Sequence, residues 1–206
     1  LCSTFAPQRN CAILCDGIAK AREKGAAFYF APEMSLLLDR NRSRAAENIV
    51  SEDTNVHIAA IREAAGIAGI WVHLGSVAVR LPDGRYANRT ILIDSKGTIR
   101  ARYDKMHLFD VDLATGESWR ESSAYRAGDG PVLVDTPIGK MGLTICYDMR
   151  FPDLYSILSQ GGATIFTVPA AFTVPTGKAH WHILLRARAI EAEAFVIAAA
   201  QAGSHE

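Results

Sequence analysis

No stretch of this chain is apolar for long enough to cross a bilayer, since a spanning helix needs about 18 such residues and none of the runs comes near that length. The first residues also lack the basic-then-apolar pattern of a secretion signal. Charge of one sign is missing as well. Lys plus Arg and Asp plus Glu number 22 each, so no basic stripe is available to neutralise a run of phosphates. Neither nucleic acid nor membrane is expected as a partner. Cysteine is scarce: four residues, Cys2, Cys11, Cys15 and Cys146, are not distributed like a disulfide framework in a chain of 206. A soluble protein of the reducing cytoplasm is expected.

The same scarcity argues against a metal centre. Cys11 and Cys15 stand four apart and can share a helix face, but no neighbouring Cys or His completes the four-ligand set of a structural zinc. His180 and His182 flank Trp181, and residues two apart on a helix point in different directions, so the pair reads as helical surface. Neither metal nor cofactor is expected.

What is present is enough apolar material, 49% of the residues, for one large core, and nothing in the composition demands a second domain. Periodicity predicts a helix over 10–24 that ends near Gly25, then a buried strand over 26–31. A helix over 54–65 and a strand over 70–80 follow, the strand stopping at Pro82-Asp83-Gly84, with a hairpin partner over 85–94. Alternation predicts a strand over 98–103, and a long polar loop covers 110–130. Segments 132–135 and 140–146 flank Thr136-Pro137-Ile138-Gly139 as a further hairpin. The rest reads as a helix over 152–160, a buried strand over 163–169, a loop with Pro175 and Gly177, a helix over 179–194 and a strand over 195–201. This is an α/β pattern, with strands between helical layers.

Three polar residues each follow an apolar strand, at the edge where α/β sheets bind ligands. Glu33 comes after Phe28-Tyr29-Phe30-Ala31-Pro32, and Lys105 closes the strand that leads through Asp104. Cys146 ends the run Met141-Gly142-Leu143-Thr144-Ile145, before a helix that can begin near Pro152. That helix's positive end would favour thiolate over thiol. Singly, each has a plain reading: Glu33 and Lys105 as solvated loop residues, Cys146 as a small buried hydrophobe. Together they supply a nucleophile, a carboxylate to move a proton and a cation near a developing oxyanion. No histidine is obviously placed to pair with Cys146, and no Gly-x-Ser-x-Gly elbow exists.

Ala31-Pro32-Glu33-Met34, Tyr103-Asp104-Lys105-Met106-His107-Leu108-Phe109 and Cys146-Tyr147-Asp148-Met149-Arg150-Phe151-Pro152 resemble, in order, the three motifs of the nitrilase, or carbon-nitrogen hydrolase, superfamily. The resemblance covers nearly the whole chain and implies a Glu33, Lys105, Cys146 triad. Arg120-Glu121-Ser122 with Ala127-Gly128-Asp129 is similar to the loop carrying that family's second glutamate, which implies Glu121 rather than Glu117. Val168-Pro169-Ala170-Ala171-Phe172-Thr173, Leu185-Arg186-Ala187-Arg188-Ala189-Ile190-Glu191 and Ala198-Ala199-Ala200-Gln201 resemble the Nit-type branch, which holds amidases of deaminated glutathione and ω-amidases. Gly203 and His205 after that last segment lean toward the former.

The resemblance implies a four-layer α-β-β-α sandwich and a homodimer through the helices near the nucleophile. It implies an amidohydrolase that frees ammonia from a small amide through a thioester on Cys146. Lys105 and the Tyr147 backbone N–H would hold the oxyanion, and Glu121 would orient Lys105 or the substrate. Phe172 and Thr173 are candidates to line the acyl pocket, with packing an equal reading for Phe172. Arg150 is a candidate for a substrate carboxylate or for a dimer contact. The resemblance implies one domain over 1–206 that would begin inside the family's first strand and stop short of its last strands and C-terminal arm. The same triad serves nitrilases and carbamoylases, and a non-catalytic scaffold keeping the fold is the reading from another class.

Overall fold

A computed structural model describes residues 1–112, 116 and 118–205. Helix α1 (Pro7–Glu23) starts on a proline, whose missing N–H costs nothing in a first turn, and lines up Cys11, Leu14 and Ile18 on one buried stripe. Strand β1 (Phe28–Phe30) and a short helix α2 (Arg42–Asn48) follow. Helix α3 (Val56–Ala68) is capped by Asn55, which accepts the N–H groups of His57 and Ile58, and buries Ile58, Ile61 and Ala65 at the same spacing as α1. Both stripes pack on a sheet made by β1, β2 (Trp71–His73), β3 (Val77–Arg80), β4 (Tyr86–Ile93) and β5 (Ile99–Asp104).

The second half begins with a small hairpin, β6 (Asp110–Asp112) and β7 (Ser118–Arg120). A second sheet follows, in the order β11-β10-β9-β8, made by β8 (Val132–Thr136), β9 (Gly139–Leu143), β10 (Ile165–Thr167) and β11 (Phe195–Ile197). Helices α4 (Pro152–Gln160) and α5 (Val174–Glu191) cover its outer face, where Leu154, Tyr155 and Leu158 meet Phe166 and Val168. Between the sheets, Leu92 and Tyr103 meet Met141, Leu143 and Ile165. The layers are therefore α-β-β-α, as expected. His73 crosses the same interface: its Nδ1 accepts the Gly75 N–H at 3.1 Å, which leaves Nε2 as donor to Thr167 Oγ1 at 3.0 Å. Burial pushes this imidazole down to about 4, so it sits neutral.

Three expectations need correction. The strand expected over 70–80 is two strands, β2 and β3, lying along one side of β4, and the register slips by one residue between Val72↔Ile93 and Val77↔Arg89. Gly75 absorbs the break at φ +70°, and a Cβ there would collide with the Pro32 carbonyl. The loop expected over 110–130 contains β6, β7 and a 3₁₀ turn at Glu121–Ser123. The loop expected around Pro175 and Gly177 is the first turn of α5, where Pro175 is tolerated. Helix α2 went unread because it buries none of its residues and so has no apolar stripe. Among the described residues, no helix is long and apolar enough to cross a membrane.

Candidate active site

Four segments deliver Glu33, Lys105, Glu121 and Cys146 to one place. Glu33 leaves β1 through a backbone pinned by Ala31 N–H to His73 O at 2.9 Å and Ser76 N–H to Pro32 O at 3.3 Å. Lys105 lies one residue past β5, its N–H donating to Asn88 O at 2.9 Å. Its own carbonyl accepts from Gly128 N–H at 2.9 Å, an approach so close that a Cβ on Gly128 would collide with the Asp104 carbonyl. Glu121 opens the 3₁₀ turn after β7. Cys146 opens another, Cys146–Arg150, in a left-handed conformation at φ +48° that a non-glycine residue adopts at a cost, with its N–H held by Pro169 O at 2.9 Å.

Lys105 Nζ stands 3.0 Å from Glu33 Oε1 and 3.0 Å from Glu121 Oε2, with only 2% of its side chain exposed. Asn88 Nδ2 donates to the same two carboxylates, at 2.9 Å to Glu33 Oε1 and 3.2 Å to Glu121 Oε1. Phe109 N–H donates to Glu121 Oε2 at 2.7 Å, and Ala171 N–H to Glu33 Oε2 at 2.8 Å. Glu33 Oε1 thus has both acceptor positions filled, while Oε2 keeps one open. The Glu33 carboxylate is the charged neighbour that, after burial, raises the Cys146 thiol most.

Burial alone would lower the lysine, but the Glu121 and Glu33 carboxylates hold Lys105 well above its ordinary range, as an ammonium. Burial, and next the Glu33 charge, push the Cys146 thiol well up, with Lys105 opposing. The expectation that a helix end favours thiolate is therefore overturned. Helix α4 begins only at Pro152, beyond the 3₁₀ turn, and desolvation together with an adjacent carboxylate outweighs it. The resting pair is a neutral thiol beside a carboxylate. Moving the proton from one to the other relocates a negative charge without creating one, which a buried site tolerates.

Asp148 holds the turn that carries the thiol. Its fully buried carboxylate accepts from Ile145 N–H at 2.8 Å and Tyr103 O–H at 2.7 Å on Oδ2, and from His107 N–H at 3.0 Å on Oδ1, with His107 Nδ1 at 2.7 Å. These bonds tie the Cys146 turn to the segment bearing Lys105. His107 also stacks on Phe151, ring centroids 3.7 Å apart.

With this geometry goes a match of residues 4–206 to the carbon-nitrogen hydrolase family model. The chain belongs to the carbon-nitrogen hydrolase family. It is 47% identical over 148 residues to the deaminated glutathione amidase of Yersinia enterocolitica, covering 70% of this chain and 52% of that protein. It is 41% identical over 211 residues to that of Mus musculus, covering 98% and 64%. The crystal structure of the Caenorhabditis elegans NitFhit protein superposes with a TM-score of 0.89 at 37% identity, covering all of this chain and 51% of that one. The chain thus spans about half to two thirds of the length of these relatives.

Around this carbon-nitrogen hydrolase cluster stand the other expected residues. Tyr147 is the second residue of the 3₁₀ turn, among the N–H groups a helix start cannot satisfy internally. Its ring meets Phe109 and Phe151 edge-on, at 5.1 and 5.4 Å. Arg150 turns toward the exposed side, Nη2 at 2.9 Å from His180 Nδ1. Phe172 packs edge-on against Trp181 at 5.0 Å. Thr173 Oγ1 is taken up by Thr176 Oγ1 at 2.7 Å. Glu117 lies outside the described residues. Asn88 and Asp148 went unassigned. The signal for Asn88 was an amide inside an otherwise apolar strand, a place that asparagine rarely occupies without a partner to satisfy.

Proposed function

We propose that this chain is an amidase that cleaves a non-peptide C–N bond of a small amide and releases ammonia. The observation that carries the reading is the Lys105 ammonium held between two carboxylates beside a buried thiol. Glu33 takes the Cys146 proton as the sulfur attacks the amide carbon. The oxyanion meets the Lys105 ammonium and the Tyr147 N–H. As the C–N bond breaks, Glu33 gives its proton to the nitrogen, and ammonia leaves a thioester. Water then yields a proton to Glu33 and adds to the thioester carbon, and the sulfur departs with that proton as a thiol. Glu121 holds Lys105 in line throughout.

The relatives named deaminated glutathione amidase support that substrate here, with its amide at the thiol and a carboxylate toward the exposed Arg150 guanidinium. Phe172 and Trp181 pack against the apolar cluster that contains Cys146 and would line the acyl side of the site. Purified protein given deaminated glutathione and α-ketoglutaramate is expected to release ammonia from both, faster from the first. Intact mass should show one acyl group per chain when the reaction is quenched in acid. No release from either amide rejects the reading.

A second copy of the chain is the proposed partner. Helix α5 leaves Ile183 and Ile190, seven residues apart on one stripe, 69% and 71% exposed, and α4 leaves Ile157 at 53%. Packing these side chains against a second copy would remove them from water. Sedimentation should give a dimer mass, lowered to the monomer in an Ile183→Glu, Ile190→Glu double variant. A monomeric native protein sinks this part.

A further inference from the structure

We propose that Asn88 is a positioning residue, holding Glu33, Glu121 and Lys105 in one register; this deepens, and rests on, the amidase reading. It reaches all three groups from β4: its carboxamide nitrogen donates to Glu33 Oε1 at 2.9 Å and Glu121 Oε1 at 3.2 Å, and its backbone carbonyl accepts the Lys105 backbone N–H at 2.9 Å. The residue is fully buried, and its Oδ1 has no hydrogen-bond partner among the described residues. A residue that served packing alone would not carry an orphaned acceptor, because leaving one buried is costly and an apolar side chain would avoid it. The orphan is accepted because the other end of the amide is needed as a donor.

That donor has two effects. It fills the second acceptor position on Glu33 Oε1, where Lys105 fills the first, so the open acceptor position of this carboxylate is on Oε2. It also ties Glu33 to Glu121 through one amide, so both acids keep their places on Lys105 without a second cation. The groups facing Glu33 are Lys105 from the end of β5, Glu121 from the turn after β7, Cys146 from its own turn and the buried Tyr125 hydroxyl. Of these only Lys105 is a cation, so without Asn88 one ammonium is left to hold two carboxylates.

The test measures kcat and KM for ammonia release in the native chain, Asn88→Ala and Asn88→Asp. Losing a hydrogen bond to a charged group is expected to lower kcat by about 10- to 100-fold in the alanine variant with KM little changed, because the groups it positions act in the transition state. The aspartate variant, with a third carboxylate in place of the donor, should lose more. A purely structural role would lower the amount of folded enzyme and leave kcat per folded chain in place. Native kcat in folded variants, or failure of both variants to fold, overturns the inference. A native chain that releases no ammonia refutes the amidase reading itself, and is seen before any variant is made.

Discussion

Cys146→Ala is expected to abolish ammonia release, with any residual rate on the order of 10⁴-fold or more below the native one, because among the described residues no second thiol stands with the Glu33 and Lys105 pair. The other thiols lie elsewhere. Cys11 is buried in α1 with its sulfur on the His57 carbonyl at 3.7 Å, Cys15 shares that helix, and Cys2 lies against the Ser204 carbonyl at 3.4 Å. Lys105 is held as an ammonium and has no free lone pair to offer. The fold should survive. Removing one buried sulfur costs about 1 kcal/mol, a shift of roughly 2–4 °C in a chain of this size. The measurement is ammonia release together with intact mass after an acid quench. An alanine variant that still turns over, or still carries an acyl group, removes Cys146 from the mechanism.

Why Cys146, Glu33 and Lys105 could be read from the sequence is a matter of where they sit. Each follows a short strand, and strand ends in layered α/β folds converge on one edge, so three polar residues after three strands are candidates to meet. Their charge states could not be read in the same way. Burial is a property of the assembled layers, and it raises the Cys146 thiol against the pull of any helix end. Asn88 was hidden for a related reason. Its neighbours Ala87 and Ile91 mark an ordinary buried strand, and only the pairing of β4 with β3 and β5 shows that its amide points at two acids.

The boundaries that failed did so where tertiary contact overrides local signals. Pro175 and Gly177 break helices in isolation, yet α5 begins at Val174 and uses the proline in its first turn. The strand expected over 70–80 has continuous apolar character, but the close approach of Pro32 at Gly75 divides it. That division serves the site. It lets Ser76 N–H hold Pro32 O at 3.3 Å and Ser76 Oγ hold Met34 N–H at 3.1 Å, one residue to either side of Glu33.

Glu33→Gln is expected to lower turnover by about 10²–10⁴-fold, the usual contribution of a positioned acid-base group, while making Cys146 easier to ionise. The two effects run in opposite directions because Glu33 acts on the thiol in two ways. As a base it accepts the proton during attack. As a fixed negative charge it adds, after burial, to what pushes the thiol up, against Lys105. Glutamine removes both. It cannot take a proton, and one of its two positions must present an NH₂ to a donor, either Ala171 N–H or the pair of Asn88 and Lys105. With the carboxylate gone and the ammonium still present, thiolate becomes the better-tolerated form, so the midpoint for ionisation moves to lower pH. Iodoacetamide modification of Cys146, followed by peptide mass across a pH series, reads that midpoint directly. A Gln variant with native turnover, or one whose midpoint moves upward, would show that Glu33 is neither the base nor the charge that restrains the thiol.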